Sequence, residues 1–234
     1  MKILLCVIFL IIPFNLFAQF SIGVQSTFIF TSANFYLGDL NDLNKNIEYS
    51  ENGSAFFGFP NIGILCNYSF NKHFAVQTEL NYLVEGVAYN IPGTDRYGSF
   101  AIQFIEIPLL AQLKTPVVIP ELNAFIEAGI SMKGRLLATH FIENYNPIEK
   151  HKYNASRHFN DVIIDGIIGI GLNIDITKHF GFLINTRLRY DFMPIGKQFY
   201  DENTSMDWSF DNIRFIHLTI FSFGVIYKLP LLLN

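Results

Sequence analysis

The sequence predicts an all-β chain: an eight-stranded antiparallel up-and-down transmembrane β-barrel whose lumen is filled by side chains. Three observations predict it. First, segments of alternating polarity recur about eight times; in Phe74 to Val84 (FAVQTELNYLV), Phe74, Val76, Leu80, Tyr82 and Val84 share one face. Ala75, Gln77, Glu79, Asn81 and Glu85 share the other, broken only by Leu83. Period two places one apolar and one polar face on each strand. Second, the chain opens with a secretory signal: Lys2, the apolar run Ile3 to Ile12, and a cleavage junction at Ala18-Gln19. Third, half the residues are hydrophobic, yet beyond this leader no run approaches the ~18 apolar residues of a membrane helix. A barrel in lipid turns its apolar face outward and packs polar groups inside. The expected organisation is a signal peptide over 1–18 and a barrel domain over 19–234.

The elements follow in order. The first strand runs from Phe20 to Phe30, with Phe20, Ile22, Val24 and Phe28 opposite Ser21, Gly23, Gln25 and Thr27. The second covers Asn61 to Phe70, with Ile62, Ile64, Cys66 and Tyr68 outward, and the third Phe74 to Gly86. The fourth spans Ile102 to Lys114, with Ile105, Ile107, Leu109, Ala111 and Leu113 outward. The fifth spans Asn123 to Leu137, with Ala124, Ile126, Ala128, Ile130 and Met132 outward. The sixth, seventh and eighth cover Val162 to Ile174, Phe180 to Asp191 and Ile213 to Leu229. These lengths approach or exceed the ~9–11 residues that a tilted membrane strand needs.

Connection lengths alternate. Those around Asn71–His73, Thr115–Pro120 and Thr177–His179 are short. Those at Thr31–Phe57, Val87–Phe100, Ala138–Asp161 and Met193–Asn212 are long. Short periplasmic turns and long external loops are the expected asymmetry, and an even strand number puts both termini in the periplasm of the outer membrane. Phe70-Asn71-Lys72-His73-Phe74 also echoes Ile176-Thr177-Lys178-His179-Phe180. Duplication and convergent hairpin chemistry explain this equally well.

The inner face carries Glu79, Glu85, Glu106, Glu127, Lys133, Arg135, Asp165, Arg187, Arg189 and Asp191. An eight-stranded lumen is only wide enough for side chains. Charges facing across it should pair, because an unpaired buried charge is costly. The expectation is a structural ion-pair plug of Glu79, Glu106, Glu127, Arg135, Asp165, Arg187 and Arg189, centred on the three glutamates facing Arg187 and Arg189.

Other constellations carry less. His140, His151 and His158 share a loop with Glu143 and Glu149, but at spacings that match no compact ligand motif, so no metal is expected. Gly166, Gly169 and Gly171 lie within a strand with no helix following, which excludes a phosphate loop. There they let neighbouring side chains approach. After signal cleavage Cys66 is the remaining cysteine, so no disulfide within the chain is expected. The net charge of −4 and the lack of a basic block argue against nucleic acid. His217 and Ser222, on strict alternation, fall on opposite faces, which leaves no nucleophile with its base. No catalytic residue and no cofactor are expected.

Two resemblances extend this reading. Ser222, Gly224, Tyr227 and Leu229 resemble the C-terminal β-signal of outer-membrane proteins, which implies insertion by the barrel assembly machinery; the chain departs from that pattern by continuing through Pro230 to Asn234. Gln77-Thr78-Glu79-Leu80-Asn81-Tyr82, Ile105-Glu106-Ile107-Pro108-Leu109-Leu110, Glu127-Ala128-Gly129 and Arg187-Leu188-Arg189-Tyr190, in that order behind Ala18-Gln19, resemble the PorT-like outer-membrane β-barrel family of Bacteroidetes. The founding member of that family supports type IX protein secretion, and most members are barrels without an assigned role. Pro108 fits that strand and marks a bulge or irregular pairing.

The expected function is a non-enzymatic membrane scaffold or binding surface acting through its external loops, in contact with outer-membrane lipid and with a protein or ligand at those loops. The alternatives are an accessory component of type IX secretion or gliding, and a lipid-modifying enzyme. A small passive pore is disfavoured by the narrow lumen.

Overall fold

The computed structural model describes residues 19–34, 56–57, 61–91, 96–115, 121–145, 148–196, 199–201, 206–208 and 214–229. The expected signal peptide lies outside them. Eight long strands form the wall: β1 (Gln19–Asn34), β2 (Asn61–Ser69), β3 (Phe74–Ile91), β4 (Arg96–Thr115), β5 (Leu122–Tyr145), β6 (Val162–Asp175), β7 (Phe180–Asp191) and β8 (Arg214–Lys228). Each pairs with its neighbours in sequence, all antiparallel, and β1 pairs with β8 to close the barrel. Closure leaves no wall strand with an unpaired edge, the condition for a sheet to sit in lipid.

Two ends differ. At the turn end, Phe70–His73 and Ile176–His179 connect their strands tightly. The two turns that echo each other in sequence are built alike. The Asn71 carboxamide oxygen accepts from the backbone N–H groups of His73 and Phe74, both at 2.8 Å, and the Thr177 hydroxyl accepts from those of His179 and Phe180 at 3.2 and 2.9 Å. A short polar side chain bonding the backbone just ahead is what fixes such turns. At the opposite, loop end, β3 and β4 continue as a ladder up to Ile91 opposite Arg96, and β5 continues to pair with a short strand, Ile148–Asn154. Much of what the sequence reads as loop at Val87–Phe100 and Ala138–Asp161 is therefore extended hairpin.

The outer surface is a band of exposed aliphatics flanked by aromatic rings. Ile62, Ile64, Leu109, Ile130, Ile168 and Ile170 are all exposed. Near the turn end Tyr68 meets Phe70 edge-on at 4.8 Å and Phe180 meets Tyr227 at 5.0 Å, while farther along Tyr190 meets Phe192 at 6.1 Å. Aromatic girdles on both sides of an apolar band mark the two lipid interfaces. From Phe180 to Tyr190 a strand tilted by ~40° climbs roughly 25 Å, the height of an outer-membrane apolar band. β4 has 20 residues and β5 has 24, so both overshoot that band at the loop end.

Two bulges reset the alternation. On β5 the register skips Leu136, since Gln103 faces Leu137 while Phe104 faces Arg135. On β8 it skips Ile220, since Phe28 faces Phe221 while Ile29 faces Thr219. Each bulge turns two consecutive phases of a strand to the same side. Ile220 and Phe221 both point outward, and the sequence-based placement of His217 and Ser222 on opposite faces is corrected: both are fully buried on the lumen side. Pro108 acts differently. The β3–β4 ladder is interrupted between Thr78 and Asn81 without a register shift, and the Thr78 hydroxyl donates to the Pro108 carbonyl at 3.0 Å.

Candidate functional site

The lumen is layered. Nearest the turn end an apolar quartet, Leu65, Phe125, Leu183 and Ile226, crosses it. Above that lies a belt of buried charge. Above the belt, at the loop end, sits a larger apolar cap that includes Ile29, Leu83, Phe100, Phe104, Phe159 and Ile195. Leu83, a large apolar residue on the inner face of β3, belongs to this cap and is no break in register.

Alternation on the eight strands aims the belt residues inward, and inner-face glycines make room for them. A side chain at Gly63 would collide with the Asn81 carboxamide oxygen, and one at Gly169 would meet Arg187 Cγ at 2.9 Å and Glu127 Oε1 at 3.0 Å. Arg187 is the hub on the turn side. Its guanidinium grips Glu79 with two bonds, Nη2 to Oε1 at 2.6 Å and Nη1 to Oε2 at 3.0 Å, while Nε donates to Glu127 Oε1 at 2.6 Å. The planar fork suits such bidentate pairing. Both glutamates hold further donors: Gln25 and Gln77 each reach Glu79 at 2.6 Å, Asn81 reaches it at 2.9 Å, and Gln112 reaches Glu127 at 3.0 Å.

The middle of the belt is Arg189 on Glu106 at 2.7 Å. Asn81 donates to the same carboxylate at 2.8 Å, and the Ser131 hydroxyl lies between Glu106 and Asp165. On the cap side the hub is Lys133. Its ammonium lies 2.7 Å from Asp191, 3.3 Å from Glu85 and 3.6 Å from Asp165, with His217 Nε2 at 3.4 Å. The same ammonium lies 5.4 Å from the Phe104 ring, where belt meets cap. A compact ammonium among three carboxylates, with no amide donor on them among the described residues, is a different design from the Arg187 cluster. Asp165 and Asp191 each keep one oxygen with no hydrogen-bond partner among the described residues.

The structure thus brings Glu79, Glu106, Glu127, Asp165, Arg187 and Arg189 into one connected belt. It does not place Arg135 there, which corrects the sequence reading. Arg135 lies on β5 opposite Phe104, at the level where the cap begins. A guanidinium buried among aromatic and aliphatic side chains would have no compensating acid. It instead turns to the rim, pairs with the exposed Asp161, and donates to the Asn160 carbonyl at 3.2 Å. The amides of the belt and the roles of Lys133 and His217 escaped the assignment of a centre. The adjacent apolar pairs Leu136-Leu137 and Ile220-Phe221 were the available signal that alternation resets.

The cap seals the loop end. The segment after the Ile148–Asn154 strand folds in over the mouth through a short helical turn, Ser156–His158, and Phe159 bridges to Gly196. Phe100 stacks on His140 at 4.2 Å and meets Phe159 edge-on at 5.4 Å. Asn160 ties the two connections together: its N–H donates to the Ile195 carbonyl at 2.9 Å and its amide to the Pro194 carbonyl at 2.8 Å. Of the histidines weighed as ligands, His140 is buried in the cap while His151 is exposed on the hairpin beside Tyr153. Among the described residues no group of three or more His, Cys, Asp or Glu side chains is arranged to hold a metal ion. The side chains of Glu143 and Glu149 lie outside the described set.

Of the C-terminal resemblance, Ser222 is buried and lies 3.0 Å from the Thr27 hydroxyl, Gly224 faces the lumen, and Tyr227 and Leu229 sit at the turn end.

A closed barrel with a polar, charge-paired lumen and a girdled apolar exterior is an outer-membrane architecture. The family model described as outer membrane protein beta-barrel domain matches residues 15–197, most of the chain. The chain belongs to this family. No curated protein sequence matches this outer-membrane barrel significantly. Among solved structures it is similar to Neisserial surface protein A at 14% identity, covering 91% of this chain and 99% of that one with a TM-score of 0.46. It is similar to OprG of Pseudomonas aeruginosa at 10% identity, covering 91% and 96% with a TM-score of 0.42. It is similar to Ail, the attachment invasion locus protein of Yersinia pestis, at 10% identity, covering 91% and 97% with a TM-score of 0.36.

Proposed function

We propose that this outer-membrane barrel is a non-enzymatic scaffold whose working surface is the loop end, with the turn end and both termini in the periplasm. One observation carries the reading: the lumen is filled by the ion-pair belt and sealed by the cap, while β4 and β5 rise beyond the lipid band. A sealed lumen offers solutes no passage and leaves the raised rim as the accessible part. Rigid strands that carry exposed connections are a common arrangement for recognition. At that rim Lys152 lies 5.9 Å from the Phe141 ring, and His151 stacks near Tyr153. These offer cationic and aromatic contacts to a protein or ligand outside the cell.

A second reading rests on the motif resemblance. The segments similar to the PorT-like family fall on β3, β4, β5 and β7, and their acidic and basic residues form the Arg187 and Arg189 part of the belt. In that reading the chain is an accessory of type IX secretion or gliding, and its partners contact the turns or the lipid-facing wall. Crosslinking and affinity capture from native outer membranes separate the two. Recovery of stoichiometric secretion subunits selects the accessory role. Recovery of the barrel with only abundant membrane proteins selects the loop-end scaffold.

A further inference from the structure

The turn end differs from the sealed loop end. Below the apolar quartet the barrel opens into a cup of about 640 Å³. Its floor is Leu65, Leu183 and Ile226, and its wall is polar. Alternation explains the wall: the last inward position on each strand lies beyond the lipid band, where lysine and amide side chains are tolerated. This volume lies within the ~300–1,000 Å³ of small-molecule sites, and apolar surface with a few convergent polar groups is their usual lining.

The charges in the cup do not balance. Lys228 is paired with Asp175 at 2.5 Å. Lys114 projects from the opposite side on β4, and its ammonium donates to the Ser69 hydroxyl at 2.7 Å. Among the described residues no carboxylate lies within ion-pairing distance of Lys114. Lys72 adds a further cation at the lip. Asn123 and Asn173 line the wall between Lys114 and the Lys228 pair and supply amide N–H groups. A half-buried ammonium anchored by a hydroxyl, facing a cavity with amide donors, is an arrangement for an anionic oxygen group.

We propose that this cup binds a small organic anion, with its carboxylate or phosphate on Lys114 and its apolar part on the quartet. The site is separate from the loop-end surface and touches the belt only through Gln77, so it stands or falls independently of the function proposed above.

The test is isothermal titration calorimetry on the full-length barrel in zwitterionic detergent, with inorganic phosphate and, separately, the dipeptide alanyl-alanine. Saturable one-site binding of either probe is expected, and which probe binds tells a phosphate from a carboxylate ligand. Lys114→Met should weaken it about tenfold or more, the loss of one charged hydrogen bond. Lys114→Arg should keep most of the affinity, and Arg135→Ala at the far rim should leave it unchanged. Ser69→Ala, which keeps the charge and removes its anchor, should weaken binding by a smaller factor and serves if Lys114→Met fails to fold. Failure of both probes to saturate would overturn the proposal. So would unchanged affinity in a folded Lys114→Met barrel or, if that variant does not fold, in Ser69→Ala.

Discussion

The loop end and the turn end of this barrel are built on opposite principles. At the loop end two connections fold inward, and Phe159 and Ile195 complete an apolar cap over the belt. At the turn end short turns leave the mouth open, and polar side chains line a cup above an apolar floor. Both ends use the same alternation, so the difference comes from the connections. Long segments can return over the lumen and bury apolar side chains there; turns of four residues cannot. The lumen is therefore closed from one side, and its charged belt is shielded from water by apolar layers above and below.

The belt itself shows two ways to neutralise buried carboxylates, and substitutions there should separate them. Lys133→Met should be the most damaging change. It leaves Glu85, Asp165 and Asp191 without their shared cation, with His217 still beside Glu85 and Asp191. A loss of about 3–5 kcal/mol is expected, read by urea unfolding from lipid vesicles. Arg187→Met should cost less, about 3 kcal/mol, because Glu79 and Glu127 keep the amide donors of Gln25, Gln77, Asn81 and Gln112. Equal losses in the two variants would mean that the amides compensate nothing.

Next comes the cap. Phe159→Ala removes a buried ring from the plug and should destabilise by about 3 kcal/mol. It should also expose the segment around Ser156 to protease in intact cells, while an equivalent cut at the turn end should not appear. At the turns, Asn71→Ala and Thr177→Ala should each cost about 1 kcal/mol, since each removes two side-chain to backbone bonds at a half-buried or exposed position. Clearly unequal costs would break the equivalence of the two hairpins. Arg135→Ala, on a pair whose acid is largely exposed, should cost under about 1 kcal/mol. A large loss would return Arg135 to the belt.

Much of this was legible in the residues. Period-two alternation located all eight wall strands, and β7 falls at Phe180–Asp191 as expected from sequence. The inner-face acids and bases were also legible, because a charge on an otherwise apolar alternating strand has only one side to face. What alternation could not carry were its own interruptions. The bulges at Leu136 and Ile220 change which side of the wall a residue faces, and the one at Ile220 puts both His217 and Ser222 on the lumen side, which strict alternation did not foresee. Arg135 was misplaced for a related reason: sequence gives the face of a residue but not its depth, and two residues beyond Lys133 the surroundings change from polar to apolar. Polar composition likewise concealed that the stretches around Val87–Phe100 and Ala138–Asp161 continue as hairpins, since exposed strands beyond the lipid need no apolar face. The turn-end cup depends on residues from strands far apart in the chain, which no local pattern records.

The claim that the lumen is sealed is tested most directly by reconstituting the purified barrel in a planar lipid bilayer and recording current across it. No stable conductance is expected for the parent protein, with steps emerging only when the cap is opened by Phe159→Ala together with Ile195→Ala. Stable single-channel steps from the parent protein at ordinary voltages would contradict it, because ions would then be passing through a lumen that the belt and the cap are held to fill.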